Sequence, residues 1–154
     1  MEFSFTATDI SFPTNKAACA ALIVRGDYNN QTLAFSNTST YPSAEVLVCL
    51  QWSPTLPFAG TCTQTVVGTA NYTLCVSSSS SPNGTIVWPT YTFVAASQVS
   101  ATMDLDLLSF TRCLRNQSTL NSTHIVGVEV GFRLYSGKGR FVFGNLSLAY
   151  GQRT

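Results

Sequence analysis

Along most of the chain, apolar and polar residues alternate in short runs that end at Gly, Pro, Asn or Ser. That period of two marks strands with one buried face. Phe3, Phe5 and Ala7 alternate with Ser4, Thr6 and Thr8, and Ile10 and Phe12 follow. Ala18 to Val24 is continuously apolar, as expected of a strand covered on both faces, and Val46 to Trp52 is another apolar run, stopped by Ser53-Pro54 and Pro57. Gln31 to Phe35 reads as a short strand. Thr63 to Val67 and Tyr72 to Val76 flank a turn containing Gly68 and predict a hairpin. Ser77 to Gly84 reads as a low-complexity surface loop. Strand resumes over Thr85 to Val94, where Pro89 predicts an edge or a bulge. Between Val99 and Leu107, Met103, Leu105 and Leu107 face one way and Asp104 and Asp106 the other. Phe110 to Thr123 is irregular.

The clearest alternation comes last. Val126, Val128, Val130, Phe132 and Leu134 share one face; Gly127, Glu129, Gly131, Arg133 and Tyr135 share the other. After Ser136-Gly137-Lys138-Gly139, Arg140 to Tyr150 reads as the returning arm of a hairpin. No stretch sustains a helical period. About nine or ten strands at this spacing predict an all-β chain, a single antiparallel β-sandwich of jelly-roll type. One domain spans residues 1–154, with no internal repeat or boundary.

Charge narrows the picture. Only 10% of the 154 residues are charged and the net charge is +1, against about 25% charged in ordinary domains. The eight Lys and Arg never cluster, which argues against a nucleic-acid partner. No run approaches the roughly 18 apolar residues of a membrane span, so no membrane insertion is expected. Seven N-x-Ser/Thr sequons occur, and Asn30, Asn37, Asn83, Asn116 and Asn121 lie in polar, loop-like stretches suited to a glycan. The five cysteines show no C-x-x-C spacing and the single His is His124, so a zinc site is not expected. An extracellular or cell-surface location with disulfides fits better. Cys62–Cys75 is the pairing expected, because it would tie neighbouring strands. The start lacks a signal peptide, and Met1-Glu2-Phe3 looks like a cloning remnant, so the chain is expected to belong to a larger multidomain protein.

The order of segments resembles the jelly-roll carbohydrate-binding modules and their galactose-binding-like relatives. The resemblance rests on Ala20-Ala21-Leu22-Ile23-Val24-Arg25-Gly26, on Met103-Asp104-Leu105-Asp106-Leu107-Leu108-Ser109-Phe110, and on Arg140-Phe141-Val142-Phe143-Gly144-Asn145-Leu146-Ser147-Leu148 after a Gly turn. It implies a polysaccharide or glycan as partner. The family often has Asp before that last Asn, where it helps hold a structural calcium. Gly144 stands there instead, and no cofactor is expected.

Sugar recognition needs flat apolar rings plus groups that bind hydroxyls. Trp52, Trp88 and Tyr91 sit near strand ends or beside Pro89; Tyr28 and Tyr72 are further aromatic candidates. Glu129, Arg133 and Tyr135 share a face with glycines that leave a trough. The reading these features favour is a non-catalytic carbohydrate-binding module for a neutral polysaccharide, and no enzyme. Two alternatives stay open. One is an adhesive surface or viral glycoprotein ectodomain with an immunoglobulin-like or divergent sandwich; Arg25-Gly26-Asp27 would suit it if exposed. The other is a jelly-roll glycosidase using Glu45 and Glu129, because Glu45-Val-Leu-Val-Cys-Leu-Gln-Trp is similar to the nucleophile strand of jelly-roll cellulases and xylanases. Such enzymes need two carboxyl groups, about 5–5.5 Å apart for retention or 6.5–9.5 Å for inversion. A Ser–His–Asp triad through His124 lacks a G-x-S-x-G elbow.

Overall fold

The computed structural model describes residues 2–11, 18–26, 44–52, 60–81, 83–85, 87–97, 103–117, 125–134 and 140–149. Side chains are described for 44–50, 60–81, 83–85, 87–97 and 105–117. Nine strands and one helix follow in chain order: β1 Glu2–Ser11, β2 Ala18–Gly26, β3 Glu45–Trp52, β4 Thr61–Val67, β5 Ala70–Ser80, β6 Val87–Ala95, β7 Met103–Asp106, α1 Leu107–Asn116, β8 Ile125–Leu134 and β9 Arg140–Ala149. They form a jelly-roll sandwich of two sheets, with strand orders β4-β5-β6-β3-β2-β8 and β7-β1-β9. The segment Gln31 to Phe35 lies outside the described residues.

Every ladder is antiparallel except β3 with β6, which runs parallel from Glu45↔Thr90 to Cys49↔Val94. The β4–β5 hairpin pairs Val67 with Ala70, and Gly68 takes a positive φ of 61° in the two-residue turn between them. Cys62 and Cys75 are direct cross-strand partners and are joined by a disulfide, with Cα atoms 4.1 Å apart. Cys49 is also disulfide-bonded, and Cys113 is a free thiol.

Three expectations about strands need correction. Ser77 to Ser80 is not loop; it continues β5 and pairs with β6 as far as Ser80↔Val87. The segments holding Ile125 and Arg140 do not form a hairpin. β8 pairs with β2 in the large sheet, and β9 pairs with β1 in the small one. β6 is an interior strand despite Pro89. Its pairing with β3 begins only at Thr90, so the missing proline N–H takes nothing from that ladder.

A helix stands where irregular chain was expected. Leu107, Phe110 and Leu114 recur at helical spacing and are all buried. Asp106 ends β7 and caps the helix: its carboxylate accepts from the Leu108 N–H at 3.1 Å and from Ser109 Oγ at 2.8 Å. Burial acts to raise the Asp106 pKa. The Ser109 and Leu108 hydrogen bonds and the Arg112 charge outweigh it and hold the carboxyl below its ordinary range.

The core lies on one face of the large sheet. Val46, Val48 and Leu50 of β3, Tyr72 and Leu74 of β5, and Tyr91, Phe93 and Ala95 of β6 cluster with Leu105, Leu107, Phe110 and Leu114. Phe110 wedges the helix edge-on against Tyr72 and Phe93, at centroid distances of 5.2 and 5.1 Å. Such edge-to-face pairs add roughly 0.5–1.5 kcal/mol each beyond the area they bury.

Candidate active site

The residues that alternate with this core are of another kind. Thr73, Ser77 and Ser79 of β5, and Trp88, Thr90 and Thr92 of β6, line the opposite face of the sheet. Glu45 joins them through its register with Thr90. Its side chain is 4% exposed, in a setting of hydroxyls. Ser79 Oγ and Thr90 Oγ1 each lie within donating reach of Glu45 Oε2 at 3.4 Å, and the two hydroxyls lie 2.7 Å from each other. A buried carboxyl group needs such partners, because leaving its lone pairs dry and unpaired is costly.

The register carries this face across to β8. Arg25 of β2 is opposite Glu45 on one side and Gly127 on the other. Two residues back, Ile23 is opposite Leu47 and Glu129. Paired residues of an antiparallel ladder share a face, as do residues two apart on a strand. Glu45 and Glu129 therefore belong to the same face, with one strand between them. Strands about 4.8 Å apart, with about 3.4 Å per residue along them, set their Cα atoms about 12 Å apart. Two glutamate side chains can span such a gap to the carboxyl separations of glycosidases.

The other sequence candidates fall in different places. Trp88 is half-buried on the Glu45 face, at the end of β6 beyond Thr90. A bulge between Ala20 and Ala21 shifts the β2–β3 register by one, so Trp52 pairs with Cys19, which is opposite Arg133 on β8. Without that shift the even-numbered Trp52 would belong with Val46, Val48 and Leu50. Tyr91, expected near a ligand, is instead 5% exposed in the core, as is Tyr72 at 3%. Alternation decides this: Tyr91 stands between Thr90 and Thr92 and takes the other face. Tyr135 and Tyr28 lie outside the described residues. Arg25 and Gly26 lie within β2, paired to β8, and not at a loop tip; Asp27 is outside the described residues. Ser79, Thr90 and Arg25 were not singled out for this site from the sequence, although the Ser/Thr alternation around Tyr91 and Phe93 is a usable signal.

Asn83 is exposed in the turn after β5, beside Gly84 with φ 72°. Its Oδ1 accepts from Ser81 Oγ at 2.7 Å and from the Thr85 hydroxyl and N–H at 2.8 and 3.2 Å. Asn116 is exposed at the end of α1, while Asn30, Asn37 and Asn121 lie outside the described residues. A hollow of about 330 Å³ between β4 and α1 is lined by Thr65, Val67, Arg112, Cys113 and Gln117, among others. It holds no carboxyl group and sits on the helix side of the sheet, away from Glu45. Among the described residues, no helix is long and apolar enough to cross a membrane.

Solved structures share this fold. A family 12 xyloglucanase from Bacillus licheniformis in complex with ligand superposes with a TM-score of 0.76 at 16% identity, over 95% of this chain and 60% of its own. An endoglucanase from Rhodothermus marinus gives 0.68 at 17%, over 95% and 59%. An endo-1,4-β-xylanase from Trichoderma reesei gives 0.66 at 18%, over 96% and 75%. The chain thus spans about 60% of the length of the family 12 structures. No family model and no curated protein matches the sequence. These likenesses show the fold. They also correct two expectations, the non-catalytic binding module and the absence of an enzyme. The solved structures named above are glycoside hydrolases, so they support a jelly-roll carbohydrate-active fold and not specifically a carbohydrate-binding module or galactose-binding-like domain.

Proposed function

We propose that this protein is a glycoside hydrolase that cleaves a β-linked glucan such as xyloglucan or a β-1,4-glucan. One observation carries the reading: Glu45 and Glu129 occupy one face of the large sheet, one strand apart, in a fold whose solved examples include family 12 hydrolases. The chain has just one other glutamate, Glu2. In this reading Glu45 attacks the anomeric carbon as a carboxylate, while Glu129 gives its proton to the departing glycosidic oxygen. A glycosyl ester on Glu45 results. Glu129, now a carboxylate, takes a proton from water, whose oxygen displaces Glu45 and returns the sugar with its original anomeric configuration. Trp88 offers a flat apolar ring to a neighbouring sugar. The sequons, and Asn83 above all, support secretion of the enzyme to where such polysaccharides occur.

Release of reducing ends from xyloglucan and from soluble β-glucan tests the reading. Glu45→Gln and Glu129→Gln are each expected to lower kcat by about a thousandfold or more. A 2-deoxy-2-fluoro glycoside should add one sugar to the wild-type mass and none to Glu45→Gln. Unchanged turnover in either variant, or no release by the folded wild-type protein, would overturn the assignment.

A further inference from the structure

We propose that Ser79 and Thr90 act together as positioning residues that fix the Glu45 carboxylate for attack, a role that rests on the glycosidase reading above. The oxygens form a triangle, Ser79 Oγ to Thr90 Oγ1 at 2.7 Å and each of them to Glu45 Oε2 at 3.4 Å. Two hydroxyl protons serve these three contacts. The short Ser79–Thr90 contact takes one proton, in either direction, because either oxygen can donate. The other proton then goes to Oε2. In both arrangements Glu45 Oε2 receives one hydrogen bond from the pair. Both contacts use the same carboxylate oxygen, so the pair sets the rotation of the carboxyl plane as well as its position. Thr90 is 2% exposed and Glu45 4%, so bulk water has little access to the contact between them, while Ser79 is half-buried. Hydrogen bonds of 3.4 Å are long. Catalytic hydrogen bonds are often long before substrate binds and shorten in the complex.

This arrangement makes a non-additive prediction. Removing one hydroxyl frees the other from the short contact, so its proton can turn to Oε2. Ser79→Ala and Thr90→Val should each lower kcat by less than about threefold, whereas the double variant should lower it by about thirtyfold or more. KM should stay within about twofold of wild type throughout, because the hydroxyls act through Glu45 and not on bound sugar. Restoring a single hydroxyl, as Ser79→Ala with Thr90→Ser, should return kcat to the single-variant level. If the double variant does not fold, Ser79→Ala with Thr90→Cys replaces it, since the thiol keeps bulk but donates weakly. Additive losses, an unchanged kcat in the folded double variant, or a loss confined to KM would overturn the positioning role. Glu45→Gln, assayed alongside, separates the two levels. If it abolishes turnover while the folded double variant keeps the wild-type kcat, the positioning role fails alone. If it leaves turnover intact, the glycosidase reading and the positioning role fail together.

Discussion

Strands β3, β5 and β6 present two faces made from alternate residues of the same segments, and both faces are largely closed to solvent. On one, Val46, Val48, Leu50, Leu74 and Phe93 are packed under helix α1 and Leu105. On the other, Glu45, Thr90 and Thr92 are as buried as those core residues, at 4%, 2% and 5% exposure. Burial therefore does not distinguish them. The partners do: the core face is carbon against carbon, whereas the other adds a hydroxyl–carboxylate cluster of Ser79, Thr90 and Glu45 beside buried Leu47, Cys49 and Val94. Removing carbon from the first leaves a cavity whose walls cannot fully close. Removing a hydroxyl from the second reshapes a small hydrogen-bond network while leaving the packing intact. The core face should hold the fold together, and the other face should govern turnover.

The largest expected effect on stability is at the centre of the core face. Phe93→Ala should lower the unfolding free energy by about 3–5 kcal/mol, read from urea titration. A loss below about 1 kcal/mol would erase the distinction between the faces. Next comes the edge hairpin. Replacing both Cys62 and Cys75 by Ser opens a link between residues 13 apart and should cost about 3 kcal/mol in the same titration. A smaller step lies at the helix start, where Asp106→Ala should cost about 1 kcal/mol. Because the folded pKa of Asp106 is depressed, its contribution is present above the unfolded carboxyl value. It fades as pH falls through the folded one. The stability gap between wild type and Asp106→Ala should accordingly narrow in acid; a gap that widens would reverse the sign. The smallest stability effect is expected at half-buried Trp88 on the Glu45 face. Trp88→Phe should stay within about 0.5 kcal/mol of wild type and yet raise KM for the polysaccharide several-fold. An unfolding midpoint that shifts while KM does not would place Trp88 with the core.

Much of this was legible in the chain. The alternation in β6 separates Tyr91 and Phe93 from Thr90 and Thr92, and the Gly68 turn set the β4–β5 hairpin and brought Cys62 opposite Cys75. Ser77 to Ser80 hid the end of β5, because four serines give no contrast between faces. The helix was missed although Leu107, Phe110 and Leu114 follow a helical spacing and Asp106 with Ser109 marks its start. That pattern is short, and alternation in Met103 to Leu107 runs straight into it. The β8–β9 turn residues suggested a hairpin, but turn chemistry does not say which sheet each arm joins. The shared face of Glu45 and Glu129 was out of reach for a different reason. It depends on where β2 pairs with β3 and with β8, and those long-range registers are set by the whole sheet, with no local residue pattern to announce them.

The parallel ladder between β3 and β6 has a consequence for how the molecule comes to be. β4, β5 and β6 succeed one another along the chain and can zip together locally, but Glu45 meets Thr90 across 45 residues of sequence. Closing so long a loop is slow compared with forming a hairpin. Loop length alone thus predicts that the hydroxyls are assembled before the carboxylate reaches them. A chain stalled with β3 undocked would carry a nearly native hairpin with Glu45 still away from Ser79 and Thr90.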